Sequence, residues 1–336
     1  MKNKTSFFQT LIKFILSVTT IILLNSSTLA QNGKILEHKE VNLWANKKLQ
    51  NKIIEKQSAS LRFKEKYAYL NNVTIEEITY ESDGNKVKGY LAYPKKKGKY
   101  PGIIYNRGGN LDFGSLNIYK AAFILARVAS WGYVVVGSQY RGNMGGIGGR
   151  DEFGGAEVND VLNLVPLLEN MNQVDTAKLG LYGWSRGGMM TYLTLKKSKR
   201  FKAAVVGGGL SDLRMTMATR TDTFETVYDD LIPDYRKHKE KSLDERSAII
   251  FVDEICKTTP ILMLHGTADW RVVPQMALDL SGAFIKARVP HRLVLFEGGD
   301  HGLNEFDNEV DEMAQKWFDK YLKQGKALPD LKMHGK

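Results

Sequence analysis

One cysteine, Cys256, stands in 336 residues. It can form no internal disulfide and, alone, no cysteine-based zinc or iron–sulfur site. With 8 Pro and 31 Gly, the chain falls far short of collagenous or low-complexity compositions. No apolar run spans a bilayer: the longest, Phe14 to Leu24, is about half of the roughly 20 residues a crossing helix needs. No His-Glu-x-x-His and no clustered acidic ligand set occurs, so no metal is expected. The glycine-rich stretch 142–149 (GNMGGIGG) has no Gly-Lys-Ser/Thr and does not fit G-x-G-x-x-G leading into a helix, so no nucleotide cofactor is expected either. What remains, 43% hydrophobic and 25% charged, is a globular composition held by packing alone.

What is present begins with an N-terminal stretch in which Lys2 and Lys4 precede the apolar run and Thr28-Leu29-Ala30 offers small residues before Gln31. A positive start, a short apolar middle and a small-residue end describe a secretory signal peptide over residues 1–30. Its removal would leave an exported periplasmic or secreted protein with no stable membrane anchor. The net charge of +11 is unevenly placed. Lys2, Lys4 and Lys13 lie in the leader, and nine Lys or Arg against four Glu fall between Gln31 and Asn72, leaving only +3 for the rest. The main domain therefore lacks the electrostatic footprint of a nucleic-acid-binding protein.

Residues 31–72 are rich in Lys, Glu, Gln, Leu and Ile, and the partial helical spacing of Val41, Trp44, Leu49 and Ile53 predicts a helical arm. From Val73 the pattern changes. Residues 74–80 and 86–93 alternate around Ser82-Asp83-Gly84-Asn85, a hairpin signal, and a short strand follows at 102–106. Helices at 116–130, 156–169, 186–197, 274–288 and 305–323 then take turns with strands at 133–138, 178–182, 203–207, 261–265 and 292–296. Such alternation implies crossover connections and a mostly parallel sheet flanked by helices. A polar, helix-prone insertion over 211–253 interrupts it as a lid, so residues 73–336 read as one α/β domain.

Gly183-Trp184-Ser185-Arg186-Gly187 lies between the strand ending at Tyr182 and the following helix. It matches the Gly-x-Ser-x-Gly nucleophile elbow, where the serine takes a strained turn and larger side chains two residues away would collide with strand and helix. A serine attacks only when a base takes its proton, and in this arrangement the acid and histidine follow the serine in the chain. Of six histidines, only His301, in Gly298-Gly299-Asp300-His301-Gly302, follows the last strand and precedes the last helix. Asp269, in the loop after the preceding strand, is the acid that would orient it. Asp300 is its immediate neighbour and cannot easily fold back onto it, and Asp212 follows the wrong strand. A tetrahedral oxyanion needs two donors. One is the N–H of Arg186; the other belongs to the loop Asn106-Arg107-Gly108-Gly109-Asn110, with Arg107 and Gly108 as candidates. Trp184, Tyr228 and Trp270 are candidate pocket aromatics. Arg107, Arg214 and Arg220 are candidate receptors for a substrate carboxylate.

The GWSRGG elbow, the HGTAD and GGDHG loops, and Tyr140-Arg141-Gly142 followed by Glu157 to Asp160 resemble the catalytic domain of the prolyl oligopeptidase family of serine peptidases. The resemblance covers roughly residues 73–322. It implies an α/β-hydrolase fold with an eight-stranded sheet and a serine hydrolase with a Ser185-Asp269-His301 triad and no cofactor. The implied substrate is a short peptide, cleaved through an acyl-enzyme. The same fold also serves carboxylic ester hydrolysis of small esters, and, with catalysis lost, binding alone. Two departures accompany the resemblance: Arg107 stands where many members carry a tyrosine or histidine that assists the oxyanion, and only about forty residues stand where typical members have a β-propeller.

Overall fold

Successive residues of a strand point to opposite faces of its sheet, so strands apolar at every position must be covered on both sides. Ile103 and Ile104, Val134 to Val136, and Ala204 to Val206 are such runs. Ile104, Val134, Val136, Ala204 and Val206 join one buried cluster, while Ile103, Val135 and Val205 join another. The two clusters are the two faces of one sheet.

The computed structural model describes residues 32–57, 60–220 and 224–335; the expected leader lies outside them. The strands among these are β1 (Ile35–Glu40), β2 (Ile54–Gln57), β3 (Ser60–Phe63), β4 (Val73–Ser82), β5 (Asn85–Pro94), β6 (Tyr100–Asn106), β7 (Val134–Ser138), β8 (Val174–Trp184), β9 (Phe201–Gly207), β10 (Ile261–Gly266) and β11 (His291–Phe296). Nine form one sheet in the order β1-β4-β5-β7-β6-β8-β9-β10-β11, and β2 and β3 form a separate hairpin. The β1, β4 and β5 pairings are antiparallel; from β7 to β11 every pairing is parallel. The β4–β5 hairpin closes at Ser82 and Asn85. Asp83 and Gly84, both at positive φ, give it the two-residue turn that the dipeptide suggests.

Residues 73–336 supply the expected eight strands, β4 to β11, and a ninth, β1, is added at the edge by the arm expected to be helical. Residues 35–40 pair with β4 at the edge. Five of the six are exposed, so the segment has no apolar alternation for a sequence reading to detect. Its Glu37, Lys39 and Glu40 are the charges that protect an open edge. The helix Lys47–Ile53 does form, and Leu49 and Ile53 are fully buried. The expected helix over 156–169 is split into Val158–Leu162 and Leu164–Glu169. The insertion contains helices Leu213–Thr219, Phe224–Leu231 and Lys239–Arg246. It is tied to the body through buried Leu213, Tyr228 and Leu243.

Candidate active site

The elbow is built by close approach. Ser185, between β8 and the helix Arg186–Lys197, has φ 59° and ψ −124°, a conformation that a non-glycine residue holds only when its surroundings impose it. They do: Ser185 N donates to Gly207 O at 2.8 Å, and Ser185 O accepts from Gly188 N at 2.8 Å and Leu210 N at 3.2 Å. A Cβ on Gly187 would lie 1.9 Å from Asn106 O, and one on Gly183 2.1 Å from Gly187 O. Neither position admits alanine without moving backbone.

His301 reaches Asp269 from the loop after β11. Its Nδ1 lies 2.7 Å from Asp269 Oδ2, and the carboxylate is wholly buried. The other oxygen, Oδ1, accepts from the N–H groups of Arg271 (2.8 Å) and Val272 (3.0 Å). Burial acts to raise the Asp269 pKa, but hydrogen bonds from His265 and His301, the charge of His301 and the Val272 N–H outweigh it and hold the carboxyl well below the usual range. Ser185 and His301 line one cavity with Gly109, Phe113, Phe153 and Phe224. A nucleophile candidate, a base held in one orientation by a carboxylate and an apolar wall thus converge, the constellation required for acyl transfer. No cluster of three or more His, Cys, Asp or Glu suited to a metal occurs among the described residues.

The side chain of Arg107 is not at this cavity. It is fully buried and bonded to main-chain carbonyls, so it can neither receive a substrate carboxylate nor itself donate to an oxyanion. Gly108 packs against the elbow: a Cβ there would meet Trp184 O at 2.9 Å and Ser185 Cβ at 3.1 Å. Of this loop it is Gly109, Asn110 and Phe113 that line the cavity. Arg186 is the first helical residue, where an N–H has no intrahelical partner, while its side chain turns inward. There it pairs with Asp151 (2.5 Å) and Glu157 (2.7 Å) and donates to Gly109 O at 2.9 Å.

The remaining candidates sort plainly. Arg220 lines the cavity with Arg271, whereas Arg214 is held by Glu240 and Asp244 on the insertion. Tyr228 stands behind the wall, with its ring 5.2 Å from Phe153 and 5.5 Å from Phe224. Trp270 is 60% exposed with the guanidiniums of Arg220 and Arg271 each 5.2 Å from its ring centre. Trp184 is a clamp and not a pocket wall: its Nε1 donates to His301 O at 2.8 Å.

Three groups escaped the sequence reading. Asp151 accepts from Leu111 N as well as Arg186, joining two loops with no local motif to mark it. The partner role of Glu157 is equally silent, although the residue itself falls in a recognised stretch. His265, whose Nε2 lies 2.7 Å from Val272 O and 3.4 Å from Asp269 Oδ2, closes the acid loop from beneath.

Known proteins resemble this chain in sequence and in fold. The sequence profile of the prolyl oligopeptidase family matches residues 119–325. The uncharacterized peptidase YtmA of Bacillus subtilis is 32% identical over 202 residues, covering 60% of this chain and 76% of that protein. Dipeptidyl-peptidase 5 of Porphyromonas gingivalis is 26% identical over 72% of this chain, which spans only 37% of its length. Among solved structures, the acylaminoacyl peptidase of Pyrococcus horikoshii superposes with a TM-score of 0.63 at 22% identity, over 82% of this chain and 47% of its own. A puromycin hydrolase gives the same score and identity over 76% and 40%.

Proposed function

The chain belongs to the prolyl oligopeptidase family, a family of α/β-hydrolase serine peptidases, and from that premise we propose that it cleaves short peptides through an acyl-enzyme on Ser185. The observation that carries the proposal is the 2.7 Å pair of His301 and Asp269 facing the cavity that holds Ser185. With Nδ1 of His301 bound to the carboxylate, Nε2 is the nitrogen left to take the serine proton. Attack by Ser185 Oγ on the scissile carbonyl makes a tetrahedral oxyanion, received by the N–H of Arg186 and by a second N–H from the loop after β6. His301 then passes its proton to the amine as the C–N bond breaks. Water, deprotonated by the same imidazole, releases the acyl group. Phe113, Phe153 and Phe224, which line the cavity, favour an apolar group beside the scissile bond. Export by a leader over residues 1–30 is part of the proposal, since its charge and length pattern suit secretion.

Amide turnover separates this reading from an esterase of the same fold. A nitrophenolate leaves without a proton, whereas an amine leaves only when His301 can deliver one, which requires the scissile nitrogen to be held within about 3 Å of the imidazole. The purified enzyme is expected to cleave short peptide amides with apolar residues at the bond, and Ser185→Ala to abolish that cleavage. Inactivity on a broad amide panel, with strong turnover of unactivated esters, would make the protein an esterase.

A further inference from the structure

Arg107 stands at the root of the loop after β6 and takes no part in the triad. Its guanidinium is fully buried above the Tyr140 ring, 4.9 Å from the centroid, with no carboxylate in ion-pair contact among the described residues. Burial pulls its pKa down to about 10. Burying a cation in this way is expensive unless every proton finds an acceptor, and here each does. Nε and Nη2 donate to Gln139 O at 3.1 and 2.7 Å, and Nη2 also donates to Leu111 O at 2.7 Å. Nη1 donates to Gly108 O at 3.1 Å and Phe113 O at 3.3 Å. All five protons of the fork are used, and three of the four carbonyls they reach belong to the segment 108–113.

The carbonyl of Gly108 is the informative one. In a planar trans peptide the C=O and the N–H point in opposite directions. Turning Gly108 O inward to Arg107 therefore turns the N–H of Gly109, in the same peptide plane, outward. Gly109 lines the cavity beside Ser185 and His301. Its φ of +73° and a would-be Cβ only 2.1 Å from Phe113 O leave the position to glycine. From the far side, Gly109 O accepts from Arg186 Nη1 at 2.9 Å, so the next peptide is fixed as well.

We infer that Arg107 is a positioning residue that aims the Gly109 N–H at the developing oxyanion by holding the carbonyls of Gly108, Leu111 and Phe113. The inference rests on the serine-hydrolase reading above. It makes the second oxyanion donor a main-chain amide whose direction is set by a buried cation. Lysine cannot replace that cation, because a single ammonium has three protons at one point and no planar fork.

The test compares native enzyme with Arg107→Ala and Arg107→Lys, using one ester substrate and a boronic acid that forms a tetrahedral adduct on the serine. A donor displaced by an ångström is expected to lower kcat about 100-fold with KM changed by less than about threefold. The inhibition constant of the boronate should rise by the same factor as kcat falls, because both report the tetrahedral state. Methylguanidinium, but not methylammonium, should restore part of the kcat of Arg107→Ala. If the alanine variant does not fold, the lysine variant carries the comparison, with the same loss confined to kcat expected. A folded variant with kcat near the native value, or one that loses KM alone, overturns the inference. Failure of the native enzyme to be acylated or phosphonylated at Ser185 would instead refute the reading on which it rests.

Discussion

At the scale of single residues, the site depends on groups held where they would not otherwise stay. Asp269 illustrates this. Its carboxylate is buried, yet four hydrogen-bond contacts keep it ionised. Asp269→Asn leaves the size unchanged but favours the wrong imidazole tautomer, and kcat is expected to fall by about 10³–10⁴. The same residue links stability to pH. Because its folded pKa lies below the unfolded value of about 3.9, its contribution is complete above that pH and is lost as the pH falls toward the folded value. Urea unfolding measured between about pH 5 and pH 2 should therefore show a smaller acid-side loss of stability for Asp269→Asn than for the native chain. Equal slopes would mean that the carboxylate is not specially stabilised. Ser185, Asp269 and His301 were legible in the sequence because each sits on a turn with its own local signature. Arg107 was misjudged as a substrate-facing group because the direction of a side chain depends on carbonyls from Gly108 to Gln139 that no local pattern brings together.

At the scale of elements, buried charge ties the helix after the elbow to the loops around it. Arg186 joins Asp151 and Glu157, all three almost wholly enclosed, and Asp151 in turn holds Leu111 N and Phe153 N. The Arg186 guanidinium also lies over Phe153, 4.6 Å from the ring centre. Removing Asp151 takes from Arg186 one of its two carboxylates and from the N–H groups of Leu111 and Phe153 their acceptor, so Asp151→Ala is expected to lower stability by about 3–5 kcal/mol, read as a shift of the urea midpoint. An effect within about 0.5 kcal/mol, typical of surface substitutions, would show that the cluster is not structurally coupled. The parallel strands and their helices were readable because β6 to β10 are apolar and sharply bounded. The edge strand β1 was not, because exposure removes the alternation that marks a strand. The break at Asn163 was also missed, since the periodicity of 158–168 continues through it.

At the scale of the whole molecule, a sheet covered on both faces places the elbow, the acid loop and the histidine loop at the same ends of parallel strands β8, β10 and β11, with β9 between the first two. Crossover topology explains why residues 185, 269 and 301 meet although they are far apart in the chain. Charge asymmetry between the N-terminal segment and the body is visible from composition. The proposed leader makes its own prediction: if residues 1–30 direct export and are cleaved, N-terminal sequencing of the mature protein should begin at Gln31, and retention of Met1 to Ala30 would remove cleavage from the account. The most direct test of the central claim is to treat the intact protein with an organophosphonate and locate the adduct by peptide mass spectrometry. The account predicts one adduct, on Ser185, appearing in step with loss of peptide-amide turnover and absent from Ser185→Ala. An adduct on another residue, or labelling and turnover that survive Ser185→Ala, would contradict it.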